Sequence, residues 1–107
     1  MQATQTLTKT VFIETAKDLE EKLLNLINSC TNKVLNADMN FREKKQCEFA
    51  LHRMTTSHVQ YQMILSRFMT DSNDTEEYVN ETDKELSFYT TKIQVNGEMI
   101  ARILFTC

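Results

Sequence analysis

One stretch of this chain constrains the fold more than any other. Cys47, Ala50, Met54, Ser57, Tyr61, Ile64 and Phe68 follow one another at alternating spacings of three and four. That is the heptad stripe of a single long helix, and no Gly or Pro interrupts it. A helix from Phe41 to Met69 runs roughly 45 Å at 1.5 Å per residue. Such a stripe needs a partner to cover it. Leu51, His58 and Leu65 add a second stripe one step off the first, so this helix is expected to be covered on two sides.

Upstream, Ala16, Leu19, Leu23, Leu26, Ile27, Cys30 and Val34 share one face, opposite Lys17, Glu20, Glu21, Asn28 and Asn32. The pattern predicts a helix over 15–35, with Thr15 as its cap and Asp18 beside the positive end of its dipole. Thr6 to Ile13 alternates weakly and is rich in β-branched residues, which leans towards a strand. Asn36 to Asn40 breaks the periodicity. Asn40 and Glu43 have capping-box spacing, so Asn40 opens the long helix over 40–69. The short break makes the two helices antiparallel. The second is longer by about two turns, so its far end, with Phe68, must meet something else.

Residues 70–85 read as an acidic loop, with a short helix through Thr75 to Val79 as the alternative. Beyond it, Leu86 to Val95 and Glu98 to Thr106 flank Asn96-Gly97. That dipeptide is the strongest short hairpin signal, because a type I′ turn needs φ > 0 at both central residues. A hairpin over 86–106 would set Ile93 opposite Ile100 and Phe88 opposite Phe105. The expected fold class is therefore α+β, in one domain over 1–107. An antiparallel helical hairpin with a long second helix packs on a small antiparallel sheet made by the C-terminal β-hairpin. An all-α chain, with the tail used for oligomer contacts, is the alternative.

Composition narrows the function. The chain is 41% hydrophobic, enough for a real core, yet holds one Gly and no Pro. Phosphate-cradling glycine loops are disfavoured, since they need close backbone approach. The net charge of −3 is unevenly placed: residues 71–85 carry seven acids and one Lys, which leaves the remainder basic. Global acidity argues against duplex DNA, which calls for a broad basic face. Three Cys with no CxxC, no signal-peptide stretch and no long apolar window point to a reduced cytoplasmic protein with free thiols and no membrane span.

No constellation states a catalytic chemistry. His52 and His58 lie six residues apart, on different sides of a helix, and cannot share a metal through one face. Asp71-Ser72-Asn73-Asp74-Thr75 starts like a calcium loop, but Glu76 stands where Gly is needed and Thr82 where a bidentate Glu is needed. Cys30 and Cys47 lie on apolar faces and read as small hydrophobes, and Cys107 reads as inert. No catalytic residue, metal site or cofactor is assigned, and the chain is expected not to be an enzyme.

Two surfaces carry the binding readings. Asp71, Asp74, Glu76, Glu77 and Tyr78 make an acidic patch suited to docking on a basic host protein. Phe41, Arg42, Lys44 and Lys45 place cations beside the free N–H groups of a helix start, a site for phosphate or a nucleotide. Arg42-Glu43, then Cys47, Leu51 and a helical run ending in Ile64-Leu65-Ser66-Arg67, resemble the core of phage anti-CBASS sponge proteins. Those are small helical proteins that sequester cyclic nucleotides as oligomers. The resemblance covers residues 42–67. It lacks the family's Trp, with Thr55-Thr56-Ser57 standing in that region. The leading expectation is a small non-catalytic inhibitor or accessory protein, of the kind viruses and mobile elements encode, that docks on a host protein. The alternatives are an anti-defence sponge that binds a cyclic nucleotide, as the resemblance implies, and a structural subunit of a homo-oligomer.

Overall fold

The structure is a computed structural model that describes the backbone of residues 2–106 and the side chains of 9–106. It is an up-down-up bundle of three helices: α1 (Gln2–Asn36), α2 (Phe41–Thr70) and α3 (Glu76–Thr106). The connections, 37–40 and 71–75, are short enough to make sequence neighbours antiparallel. The rod measures 58 × 18 × 16 Å, close to the roughly 52 Å that a 35-residue helix spans. No described helix is long and apolar enough to cross a membrane.

The α2 stripe behaves as its spacing requires. All seven residues, Cys47 through Phe68, are buried. His58 and Leu65 of the second stripe are buried too, and Leu51 is half-buried. The long helix packs against both α1 and α3 and is the shared wall of the bundle. Asn40 caps it as expected: its side chain accepts from Glu43 N at 2.8 Å, and Glu43 Oε1 accepts from Asn40 N at 3.2 Å.

The expected α+β class does not hold. The described residues contain no strand, and the predicted hairpin over 86–106 is the distal two-thirds of α3. The reason lies in packing. Val79, Thr82, Leu86, Tyr89, Ile93, Asn96, Ile100 and Ile103 form a second heptad stripe as regular as that of α2, and every member is buried or half-buried. Gly97 is not at a turn, and no described residue has positive φ. It lies where side chains of α1 and α2 press against α3. A Cβ there would sit 3.3 Å from Met54 Cε and 3.5 Å from Leu26 Cδ2. Glycine costs a helix about 1 kcal/mol relative to alanine; here it admits a close contact instead of a turn. The paired residues of the imagined hairpin separate accordingly: Ile93 and Ile100 are in the core, whereas Phe88 and Phe105 are exposed.

Two boundaries also move. Thr6 to Ile13 is helical, and Thr15 lies inside α1 rather than at its cap. The acidic loop shrinks to 71–75, because Thr75 Oγ1 accepts from Tyr78 N at 3.2 Å and starts α3 ten residues early. Glu76 and Glu77 then fall in the first turn of α3, where the dipole favours acids.

The early start of α1 supplies what Phe68 needed. Phe68 is fully buried, with the Phe12 ring edge-on at 5.2 Å and the Tyr78 ring also at 5.2 Å. Three helices thus meet around one phenyl ring. Lower in the bundle, the Tyr61 hydroxyl donates to Ala16 O at 2.8 Å and joins α2 to α1 through the core.

Candidate functional site

The two predicted surfaces lie at opposite ends of the rod. The acidic patch surrounds the α2–α3 turn. Here Asp71 Oδ1 accepts from Asn73 N at 2.9 Å, and Asn73 Oδ1 accepts from Thr75 N at 3.0 Å. From α1, Lys9 Nζ donates to Asp71 O at 2.7 Å and to Asn73 O at 3.0 Å, while lying 4.7 Å over the Phe68 ring. The turn is therefore fixed from within and clamped from the side.

This geometry divides the five acidic-patch residues. Asp71 is exposed but its carboxylate is tied to the turn, and Tyr78 is half-buried. The Asn73 N–H and then the Tyr78 hydroxyl hold the Asp71 carboxyl below the usual carboxylate range. Burial and then Asp71 itself raise the Tyr78 phenol. Asp74 is half-exposed, and Glu76 and Glu77 are exposed. Arg67 and Glu85 pair nearby at 3.2 Å, on the surface, where such pairs contribute little.

The predicted anion site lies at the other end. Phe41 and Lys45 do come together, with Nζ 5.5 Å from the ring centroid, but Lys45 also pairs with Glu48 at 3.5 Å. Arg42 and Lys44 are exposed. The positive end of the α2 dipole already holds a carboxylate, because Glu43 closes the capping box. An incoming phosphate would have to displace it.

The same end carries a feature that the spacing rules did not single out. Leu35 at the close of α1, Phe41 at the start of α2 and Phe105 near the close of α3 are 74%, 76% and 91% exposed. The signal was available in principle: each is a large apolar residue off the heptad stripe of its own helix. Lys33, Arg42, Lys44 and Arg102 at this end are exposed, as is Asp38 in the α1–α2 turn.

The nucleophile and metal candidates are internal or apart. Cys30 and Cys47 are buried and free. Burial raises both thiols, with Glu43 adding to the effect at Cys47; a raised thiol is a poor nucleophile at neutral pH. Cys107 lies outside the described residues. His52 is exposed and His58 is buried, its Nε2 3.4 Å from Glu20 Oε1 but outside hydrogen-bond geometry. Glu20 instead accepts from Gln62 Nε2 at 2.7 Å. Among the described residues no group of three His, Cys, Asp or Glu converges.

A third region, at mid-bundle, was not legible in either reading. His52, Arg53, Thr56 and Ser57 of α2 face Lys92 and Asn96 of α3 across a cleft of about 380 Å³. Asn96 is 6% exposed. Its Nδ2 donates to Lys92 O at 2.7 Å, but its Oδ1 has no donor. An unpartnered buried acceptor costs about 1–3 kcal/mol, in a stripe position where an aliphatic residue would cost nothing.

No family model, curated protein or solved structure matches this chain.

Proposed function

We propose that the chain is a non-catalytic binding protein that docks on a partner protein through the end of the bundle where α1 stops, α2 starts and α3 stops. The observation that carries this reading is the exposure of Leu35, Phe41 and Phe105 at that one end. Single exposed apolar residues are ordinary; large ones gathered at one place mark interaction surfaces. Aromatic anchors with a cationic surround match the composition of interface centres and rims. The fitting partner surface is apolar with an acidic rim. The raised thiols and separated histidines support the non-catalytic part of the reading.

The test uses the full chain as bait. Leu35, Phe41 and Phe105 are changed together to Ser in one variant; Asp74, Glu76 and Glu77 are changed to Lys in another. A protein held saturably by the wild type should be lost by the first variant and kept by the second. Loss by the second alone would move the docking surface to the acidic turn and overturn this reading.

One observation favours a second reading, self-association. The acidic turn and the basic apolar end lie at opposite ends of the same rod, so copies are complementary head to tail. Sedimentation velocity would then show assembly at low salt that dissociates as ionic strength rises. A single 12.5 kDa species at all salt concentrations would exclude it.

A further inference from the structure

We propose that the mid-bundle cleft between α2 and α3 binds a small organic phosphate carrying a flat ring with an N–H donor, the chemistry of a nucleoside monophosphate. This site is separate from the docking end and does not depend on it. Three independent observations converge there.

The first is unpaired positive charge on both walls. Arg53 of α2 and Lys92 of α3 line the cleft, and neither is in a salt bridge among the described residues. Each lies instead over a ring, Arg53 at 4.4 Å from the Phe49 centroid and Lys92 at 5.0 Å from that of Phe88. With His52, Thr56 and Ser57 beside them, the polar half offers charged and neutral donors to a phosphate.

The second is an apolar continuation. Lys92 and Asn96 also line an open groove along α3, whose sides include the half-exposed Phe88 and Val95. The cleft and the groove share Lys92 and Asn96. One half suits an anion and the other a flat ring.

The third is the orphaned amide that both share. Asn96 occupies a core stripe position between Ile93 and Ile100, and its Oδ1 lacks a donor. An exocyclic amino N–H of the ring, presented from the apolar half, satisfies it. Binding draws Lys92 from the Phe88 ring to the phosphate, which uncovers the ring face for stacking. The site thus distinguishes a nucleotide from a bare anion, by a group that inorganic phosphate lacks.

The experiment titrates adenosine monophosphate, and separately inorganic phosphate, into the isotopically labelled full chain, followed by amide NMR shifts and calorimetry. The expected result is shifts confined to 52–57 and 87–97, with the nucleotide bound at least about tenfold more tightly than phosphate. Arg53→Gln with Lys92→Gln, both on the surface, should weaken the nucleotide by about tenfold or more. Asn96→Leu should keep the helical spectrum and reduce nucleotide affinity to that of phosphate. Absence of binding at millimolar nucleotide, equal affinity for phosphate and nucleotide, or shifts centred on 41–45 would each overturn the proposal.

Discussion

The two ends of this bundle are built to opposite rules. At the α2–α3 turn the rings are drawn inward: Phe12, Phe68 and Tyr78 pack ring on ring, and Lys9 ties the turn carbonyls to α1, while Val11 and Met69 stay exposed beside them. At the α1–α2 turn, the capping box is complete, yet Leu35, Phe41 and Phe105 remain in solvent. Each end has a capped helix start, α2 by Asn40 and α3 by Thr75, so the difference is not one of folding quality. It lies in where the apolar residues fall relative to the heptad stripes. The closed end spends them on joining three helices. The open end leaves them in solvent.

The comparison makes graded predictions for stability. Phe68→Ala removes the ring at the centre of the closed end and should cost about 3–5 kcal/mol, read by chemical denaturation. A cost below about 1 kcal/mol would show that the three helices do not depend on that ring.

Next in size is Tyr61→Phe, in the same half of the bundle. It deletes the hydroxyl donor to Ala16 O and should cost about 1 kcal/mol. It also alters pH dependence. Burial, with Glu20 and Asp83 adding to it, pushes the Tyr61 phenol up to about 12 from its ordinary 10. The folded state therefore holds this proton more tightly than the unfolded state. The contribution is complete below about pH 10 and is lost as pH rises towards about 12. The alkaline loss of stability, to which Tyr78 also contributes, should be shallower in Tyr61→Phe than in the wild type.

Lys9→Met should cost about 0.5–1 kcal/mol, because its two hydrogen bonds to the turn are partly exposed. Smallest of all, Phe41→Ala and Phe105→Ala should each change stability by less than about 0.5 kcal/mol. A larger loss at either position would mean that the open end is structural after all.

How much of this was legible depends on which residues carried the signal. The α2 stripe and the Asn40–Glu43 box could be read directly, since burial and capping act locally along one helix. The need to cover Phe68 was also legible, but its partner was not. Phe12 lies in a β-branched stretch whose local preference favours a strand, and only packing against Phe68 makes that stretch the first turns of α1. In α3 two signals competed. Asn96-Gly97 spoke for a turn, and the stripe from Val79 to Ile103 spoke for a helix. Eight stripe positions outweigh one dipeptide, because tertiary burial overrides local turn preference. The open end and the mid-bundle cleft were hidden for a different reason. Each is assembled from residues on separate helices, and only the bundle brings them together.

The most direct test of the closed-end and open-end account is hydrogen–deuterium exchange on the full chain, alone and bound to the protein it retains. The account predicts new protection on binding at 33–45 and 100–106, with 71–78 unchanged. New protection at 71–78, with none at the open end, would contradict it.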